Sequence, residues 1–253
     1  MAFSYWRAVL VTLALVIVPA AIRLHNVLAP DREKPAQLSE DPKTSHILIV
    51  LGSGGHTAEM LAMLERAITE KDDKLRLDWK KFTHRTWVTG AGDDLSASRA
   101  KEFEAGAIGI ALEDAKAEKA EDVDTGSSVI VAVPRAREIH QSAWTAPVSC
   151  LRCLMACCVV LLQLGQRGRD LPDIILCNGP ATATVLVFAS VLLRMFNIKG
   201  SNGRGKMRTV YVESFARVKK LSLSGRILSG FTDRFIVQWK SLESQGEYLG
   251  ILV

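Results

Sequence analysis

The sequence predicts an α/β protein with a doubly wound parallel sheet, preceded by one transmembrane helix. Three observations support this prediction: short β-branched runs recur along the chain, helical stretches separate them, and glycine or polar residues follow most of them. Strands buried on both faces have continuous apolar runs, and their alternation with helices is typical of a parallel, Rossmann-like sheet. A chain of 253 residues can bury such a core without disulfides or a structural metal.

Composition narrows the class of protein further. Apolar residues make up 48% and charged residues 23%, so the chain is too apolar to be disordered. The five cysteines are an odd number, which excludes a fully paired disulfide framework. The net charge of +5 suits phosphates or an anionic membrane surface. Aromatic residues are only 6%, so we expect no nucleic-acid partner.

The first element is an apolar helix that fits a membrane anchor. Fifteen uncharged residues lie between Arg7 and Arg23, and aromatic residues near the amino terminus suit the membrane interface. These fifteen residues span about 22 Å as a helix, so the flanks must complete a hydrocarbon core of about 30 Å. A cleaved signal peptide, with Val18-Pro19-Ala20 as its cleavage site, is the alternative. Unpaired thiols and the lack of an Asn-x-Ser/Thr acceptor favour the anchor.

Charge around the anchor predicts the organisation of the chain. More basic residues follow the anchor than precede it, so the main domain is predicted to face the cytosol. We divide the chain into a lumenal tip and anchor (1–24), a linker rich in proline and charge (25–45) and a cytosolic domain (46–253). A second apolar run, Val148–Leu164, is short and carries Arg152, which favours a buried helix over a re-entrant or interfacial one.

Six strands are predicted in the cytosolic domain. Helical patterns lie between them, among them the nearly all-apolar Ser149–Leu164 and Ala181–Phe196. Ala107–Leu112 is a further candidate strand, and the acidic Glu113–Ser128 is predicted to be a surface loop or insertion. The six predicted strands are Ile47–Leu51, Thr86–Thr89, Val129–Val133, Ile174–Cys177, Thr209–Val212 and Phe235–Gln238.

The unusual residues of this domain follow the carboxyl ends of five predicted strands. Ligands of open parallel sheets bind beyond those ends, so the sequence predicts one site at this rim. The residues are Gly52-Ser53-Gly54-Gly55-His56, then Gly90, Gly92, Asp93 and Asp94, then Pro134-Arg135, then Asn178-Gly179-Pro180, and finally Glu213-Ser214.

The glycine loop Gly52–His56 leads directly into a helix, where free N–H groups favour an anion. The loop is not a P-loop, because no lysine follows its second glycine. It is not a dinucleotide-binding fingerprint either, because Thr57 occupies the position of the third glycine. A plain tight turn is the alternative interpretation. The helix dipole at His56 favours a neutral imidazole, which can accept a proton from an alcohol or bind a sugar or phosphate. A capping role is the alternative for His56.

Other rim residues also have a functional and a structural interpretation. Asp93 and Asp94 either bind hydroxyl groups or cap a helix. Arg135 either clamps a pyrophosphate or pairs with the acidic segment. Glu213 follows an apolar strand, so we expect it to be partly buried, serving the site or pairing with Arg217.

Two further features concern metals and partners. Cys150, Cys153 and Cys157 have helical spacing but lack a second ligand pair, so they are predicted to be core thiols, with no metal or cofactor. The chain ends in an apolar segment, which either folds back onto its own core or docks into another chain. That segment is Leu249-Gly250-Ile251-Leu252-Val253.

Together, these motifs resemble the membrane-anchoring subunit of the two-chain UDP-N-acetylglucosamine transferase of the endoplasmic reticulum. The matching stretches run in the family's order over nearly all of residues 46–253. They are GSGGHTAEML (Gly52–Leu61), the neighbourhood of Asp94, Ser96 and Ser98, PRAREIHQS (Pro134–Ser142), PDIILCNGPATA (Pro172–Ala183), YVESFARVKKLSLSG (Tyr211–Gly225) and DRFIVQW (Asp233–Trp239).

The resemblance implies that the chain is the acceptor-side, amino-terminal half of a GT-B glycosyltransferase, similar to the bacterial enzyme that makes lipid II. A separate soluble chain would bind UDP-GlcNAc, and the heterodimer would add the second GlcNAc to dolichyl-diphosphate-GlcNAc for protein N-glycosylation. The family's location implies the endoplasmic reticulum membrane, extending to the nuclear membrane. No activity is expected of the chain alone.

The resemblance also assigns roles to residues. Gly54, Gly55 and His56 correspond to the acceptor-side glycine loop, and the tail Leu249–Val253 corresponds to the segment that docks the catalytic chain. Ala181 departs from the family, which has glycine there, so a very close backbone approach is not expected. A self-sufficient membrane-tethered transferase and an inert scaffold are the alternatives, although one sheet lacks the second domain that closes a cleft around a nucleotide sugar.

Overall fold

The chain begins with a long apolar helix, α1 (Ala2–Leu28), as predicted. Its 27 residues give a length of about 40 Å. The apolar side chains between Val11 and Ile22 are exposed, as in a helix surrounded by lipid. The computed structural model describes residues 2–29, 45–72, 74–115, 126–137, 141–142, 144–165, 170–179 and 181–253.

Within the described residues, seven strands form one sheet, and every pairing in it is parallel. Its order is β3-β2-β1-β4-β5-β6-β7, so the six predicted strands are confirmed and a two-residue edge strand, too short for a sequence signal, is added. The strands are β1 (His46–Val50), β2 (His84–Gly90), β3 (Ser127–Val133), β4 (Ile174–Asn178), β5 (Arg208–Val212), β6 (Arg234–Val237) and β7 (Glu247–Tyr248).

Helices cover both faces of the sheet, which confirms the doubly wound arrangement. Alternate residues of β1 show the two faces: Ile47 and Ile49 pack with α2 and α3, whereas Leu48 and Val50 pack with α4, α5 and the end of α1. This alternation follows from the two-residue period of a strand. The helices are α2 (Gly55–Thr69), α3 (Asp94–Ala115), α4 (Ala146–Leu164), α5 (Thr182–Met195) and α6 (Leu223–Leu228).

Helix α3 corrects one predicted element. The candidate strand Ala107–Leu112 is helical, because it continues α3 through to Ala115. Ala100, Glu104 and Ala107 are buried at helical spacing, and they turn one face of α3 toward the sheet. A strand was predicted because this stretch is rich in alanine and glycine and shows little helical periodicity of its apolar residues.

Two predicted boundaries also change. Helix α1 continues through His25 to Leu28, so the first residues of the predicted linker belong to the anchor helix. The acidic segment Glu113–Ser128 begins inside α3 and ends inside β3, and its residues 116–125 lie outside the described part of the chain. The predicted linker from residue 30 to residue 44 lies outside it as well.

Helix α4 is buried on one face only. Cys153, Cys157 and Leu161 are fully buried against the sheet, which agrees with the prediction of core thiols. The opposite face exposes apolar side chains, so the prediction of a buried helix holds for half of its circumference. Those side chains are Val148, Leu151, Met155 and Val159. Among the described residues, α4 and the stretch Val11–Leu28 are the two segments long and apolar enough to cross a membrane.

Candidate functional site

The candidate site lies where the strand order reverses. The chain leaves β1 toward β2 on one side, while β4 pairs with β1 on the other side. Val50 and Cys177 are partners in the register, so the loops that follow β1 and β4 lie side by side. A crevice opens between such diverging loops, and ligands of doubly wound sheets bind there.

A hydrogen-bonded network centres on His56 at this crevice. The Nδ1 atom of His56 lies 3.1 Å from Oδ1 of Asn178 and 3.6 Å from Oε2 of Glu59. Asn178 donates from Nδ2 to Oε2 of Glu59 at 3.0 Å, and the hydroxyl of Ser214 donates to Oε1 of Glu59 at 2.9 Å. These contacts occupy Nδ1, so they orient the imidazole ring with its Nε2 edge available to a ligand.

Two glycines make room for the imidazole of His56. A Cβ atom at Gly52 would lie 2.6 Å from Cβ of His56, and one at Gly179 would lie 2.9 Å from its Cγ. Gly179 also has a φ of +94°, which disfavours other residues. Both glycines are therefore required by the position of His56, and the predicted motif residues after β1 and β4 meet at one side chain.

The charge of His56 differs from the sequence-based expectation. The helix dipole was expected to favour neutral imidazole, but the pKa of His56 is raised, chiefly by its hydrogen bond with Glu59 and against the effect of burial. The pKa of Glu59 is lowered: burial acts to raise it, but hydrogen bonds from His56, Asn178 and Ser214 outweigh burial. The nearby carboxylate of Glu59 thus makes His56 a stronger base than a free imidazole and stabilises the imidazolium that forms when it accepts a proton.

A cavity of about 110 Å³ adjoins the glycine loop on the side of β2 and β3. The side chain of Arg135 packs against Gly90, where an added Cβ would lie 3.2 Å from its Cγ. The predicted Ser53 and Arg135 are thus brought together with residues that were not predicted for the site, notably Arg137 and Thr182. The cavity is lined by Leu51, Gly52, Ser53, Gly90, Asp93, Arg135, Arg137, Ala181 and Thr182.

Ala181 forms the N-cap of α5 at the wall of this cavity. Its φ of +23° is unusual for a residue with a side chain, and its side chain makes no capping hydrogen bond. Glycine adopts such a backbone conformation more readily than alanine does. The first turn of α5 therefore brings free backbone N–H groups close to two arginines, which is an arrangement that suits an anion.

Asp93 and Asp94 have different roles. Asp93 accepts hydrogen bonds from the backbone N–H of Ser96 at 3.1 Å and from its hydroxyl at 2.8 Å, which is the predicted capping role. Ser96 in turn contacts the hydroxyl of Thr57 at 2.7 Å, and this contact ties α3 to the glycine loop. Asp94 is exposed and does not line the cavity. Asp93 is therefore closer to the site than the predicted Asp94.

Glu213 is buried, and its carboxylate bonds to the residue that caps α6. It accepts hydrogen bonds from the backbone N–H of Ser214 at 3.1 Å and from both the backbone N–H and the hydroxyl of Ser222 at 3.0 Å. These bonds replace the expected pairing with Arg217. The contact with the site passes through the neighbouring Ser214, whose hydroxyl holds Glu59.

The carboxyl-terminal tail folds back onto its own domain, which is the first of the two predicted alternatives, and docking into another chain stays a prediction. The guanidinium of Arg66 donates to the carbonyl of Ile251 at 2.8 Å, and the N–H of Leu252 donates to Oε1 of Gln238 at 3.1 Å. Leu252 also packs against the core on the α2 face of the sheet. Leu249, Ile251 and Val253 stay about half exposed, so the tail folds back and still offers apolar side chains.

Comparison with known proteins identifies the family. The family model described as "Oligosaccharide biosynthesis protein Alg14 like" matches residues 47–252. The chain belongs to this Alg14 family. A relative from Schizosaccharomyces pombe, named UDP-N-acetylglucosamine transferase subunit alg14, is 37% identical over 230 residues, which are 90% of this chain and 89% of the relative.

Other relatives in the Alg14 family agree. The Aspergillus fumigatus protein is 37% identical over 212 residues, covering 70% of this chain and 92% of the relative, and the mouse protein is 30% identical over 234 residues, covering 91% of each. Both carry the same subunit name. A solved structure of Acinetobacter baumannii MurG is 14% identical, covering 77% of this chain and 41% of that chain with a TM-score of 0.41, too low to support any assignment.

Sequence reasoning missed the part that Glu59 plays in the site. Its expected role was a favourable charge in the first turn of α2, yet it joins His56, Asn178 and Ser214. The signal was present, because residues three apart on a helix lie on one face and His56 precedes Glu59 by three. The roles of Arg137 and Thr182 carried no comparable signal, since their position depends on how distant loops meet.

Proposed function

We propose that this chain is the membrane-anchoring, acceptor-side subunit of a two-chain UDP-N-acetylglucosamine transferase. The chain recruits a soluble catalytic subunit that binds UDP-GlcNAc. The heterodimer then adds the second GlcNAc to dolichyl-diphosphate-GlcNAc for protein N-glycosylation. Membership of the Alg14 family, whose members are named as transferase subunits, is the observation that carries this proposal. The single Rossmann-like sheet serves as the amino-terminal half of a GT-B enzyme.

The rim holds the diphosphate of the acceptor in this proposal. Arg135 contacts the phosphates as a bidentate donor, and the first turn of α5 and the loop Ser53–Gly55 offer backbone N–H groups. Gly179 lets the chain approach closely, and Ser214 and Glu213 fix the far wall. The support for this placement is the convergence of four loops, one of which carries two arginines, around one cavity.

His56 serves as the catalytic base or as a ligand of the phosphates. As a base, its Nε2 accepts the proton of an acceptor hydroxyl while the new bond to the sugar forms and the bond to UDP breaks. Glu59 and Asn178 hold the ring at Nδ1 and stabilise the imidazolium that results. The catalytic subunit supplies the contacts to the nucleotide.

The membrane location follows from the apolar surfaces. We propose that α1 crosses the endoplasmic reticulum membrane once, with the domain on the cytosolic side and with the nuclear membrane as a continuation. The exposed apolar face of α4 lies against the same membrane surface. Tethering raises the effective concentration of the catalytic subunit at its lipid substrate.

Reconstitution of the heterodimer tests this function. The purified chain alone is expected to transfer no GlcNAc from UDP-GlcNAc, and addition of the catalytic subunit is expected to restore transfer. Activity of the chain alone would instead establish the self-sufficient transferase. Within the heterodimer, His56→Ala is expected to lower kcat by at least about 100-fold, a typical contribution of acid–base catalysis. Unchanged turnover of His56→Ala would establish the scaffold, and Arg76→Ala serves as an exposed control.

A further inference from the structure

Gln238 joins two parts of the molecule that the proposed function uses separately. It follows β6 directly, and only 1% of its side chain surface is exposed. Its Oε1 accepts the backbone N–H of Leu252 in the tail at 3.1 Å, and its Nε2 donates to the backbone carbonyl of Glu213 at 3.0 Å. The side-chain amide of Gln238 thus bonds to one backbone group in the tail and to one backbone group next to the candidate site.

On the tail side, the contact determines how the last residues lie. A groove of about 530 Å³ runs beside the tail along α2 and the strands β4, β5 and β6. Leu249, Ile251 and Leu252 line this groove together with the helix and the strands. Gln238 and Arg66 are the residues whose side chains hold the backbone of the tail here. Arg66 donates one hydrogen bond to the tail and Gln238 accepts one from it. Loss of one of these bonds therefore gives the tail more freedom to move.

On the other side, the contact leads to the candidate site. The carbonyl that Gln238 holds belongs to Glu213, which precedes Ser214 in the chain. The hydroxyl of Ser214 binds Glu59, and Glu59 contacts His56. Three hydrogen bonds, the peptide link between Glu213 and Ser214, and the 3.6 Å contact between Glu59 and His56 therefore connect the tail, through Gln238, to the side chain in the middle of the site.

We propose that Gln238 is a positioning residue that fixes the partner-docking tail relative to the candidate site. The inference rests on the proposed function, in which the two halves of the active site come from different chains. In such an enzyme the docking segment sets where the partner's half sits, and a displacement of about 1 Å can lower a rate by about 100-fold. Gln238 couples that docking segment to the residues that face the acceptor.

Two variants separate the tail side from the site side. Deletion of Leu252 and Val253 removes the contact to the tail and leaves the bond from Gln238 to Glu213. Gln238→Met removes both contacts with little change in volume. Gln245→Met is the matched control, since Gln245 is exposed in the same region of sequence. Each variant is assayed in the reconstituted heterodimer for affinity between the subunits and for kcat at saturating catalytic subunit.

The deletion is expected to weaken subunit affinity by at least about tenfold, because it removes part of the docking segment itself. Gln238→Met is expected to weaken affinity similarly and to lower kcat at saturation by about tenfold as well. Gln238→Glu is the conservative variant: its protonated carboxyl can both donate and accept, so its kcat relative to the native chain should recover as the pH falls. The proposal is overturned if Gln238→Met weakens subunit affinity without lowering kcat at saturation, or if it changes neither quantity.

Amide hydrogen exchange on the full chain without its partner tests the role of Gln238 independently of the heterodimer. The amide of Leu252 and those of Ser214–Arg217 are expected to exchange faster in Gln238→Met, and to remain unchanged in Gln245→Met. Unchanged exchange at both segments refutes the role of Gln238 whatever the heterodimer does. If the native chain binds no catalytic subunit, the proposed function fails, and the exchange result still decides whether Gln238 holds the two segments together.

Discussion

The two ends of the described chain are attached to the domain in different ways. At the amino-terminal end, α1 finishes against α5, and the two helices cap each other. Arg23 of α1 donates from Nε to the carbonyl of Met195 at 2.9 Å, and Arg194 of α5 donates from Nη2 to the carbonyl of Val27 at 2.6 Å. Val27 and Arg194 are fully buried.

A carboxylate completes the attachment of α1. Asp233 lies 2.9 Å from Nη1 of Arg194 and also accepts hydrogen bonds from the backbone N–H and the hydroxyl of Thr209. The last carbonyls of a helix have no partner within the helix, so this exchange satisfies groups that would otherwise be buried and unpaired. The anchor is therefore built into the core of the domain.

The carboxyl-terminal tail has a much lighter attachment. Within the described part of the chain, it is held by single hydrogen bonds to Arg66 and Gln238 and by the partial burial of Leu252. Arg66 is exposed, so water competes with its bond. The end of α1 is therefore held by buried groups, whereas the tail is held by exposed ones and keeps apolar side chains at the surface.

Disruption of the buried arginine should have the largest effect. Arg194→Ala leaves the buried carbonyl of Val27 without its donor and removes a charged donor from the partly exposed Asp233, and loss of such hydrogen bonds costs about 3 kcal/mol. We expect a loss of that size in the free energy of unfolding, measured with urea on the full chain in detergent. Arg99→Ala, at the surface of α3, is the control. A loss below about 1 kcal/mol would mean that the anchor is not part of the core.

The reciprocal arginine should have a smaller effect, because Arg23 is half-buried. Arg23→Ala removes a hydrogen bond from a charged donor, so we expect a loss of about 1 kcal/mol in the free energy of unfolding. Amide exchange at residues 24–28 should become faster while the strands keep their protection. Arg7→Ala makes the same charge change on the same helix, and it should leave this exchange unaltered. If both variants behave alike, Arg23 does not fix the end of α1.

At the tail, substitution should change mobility and leave stability nearly intact. Arg66→Ala removes an exposed hydrogen bond, so the free energy of unfolding should change by less than about 0.5 kcal/mol. Digestion by a carboxypeptidase should become several-fold faster, because the carbonyl of Ile251 loses its donor. Lys101→Ala on α3 should match the native chain in both measurements. A large loss of stability in Arg66→Ala would mean that the tail is as firmly built in as α1.

The sequence predicts those features that depend on local pattern. The six longer strands, the anchor helix and the meeting of the glycine loop with Asn178 follow from apolar runs and the geometry of parallel sheets. The cross-capping by Arg23 and Arg194 joins residues 167 to 172 apart in sequence, and no local pattern encodes it. The same holds for Gln238. Both of its partners are backbone groups, so the residue types at those positions give no sign of the contact.

The smallest effect concerns the site that lies between the two ends. His56 has a raised pKa, so its contribution to stability is complete below its ordinary value of 6.5 and is lost as the pH rises through the raised pKa. Glu59 has a lowered pKa, so its contribution is present above its ordinary value of 4.5 and is lost as the pH falls through the lowered pKa. The pair is therefore most favourable between about 4.5 and 6.5.

Glu59→Gln tests the cause of this behaviour. The variant keeps the shape of the side chain and removes the carboxylate, which is the main cause that raises the pKa of His56. We expect the pKa of His56, measured by NMR titration of the full chain, to fall below that of the native protein. Glu65→Gln, farther along α2, should leave it unchanged. The partners of Glu59 are His56, Asn178 and Ser214, so this change should leave the attachment of both ends unaltered. Faster exchange at residues 24–28 or 252 in Glu59→Gln would show that the site and the ends are coupled more strongly than their contacts indicate.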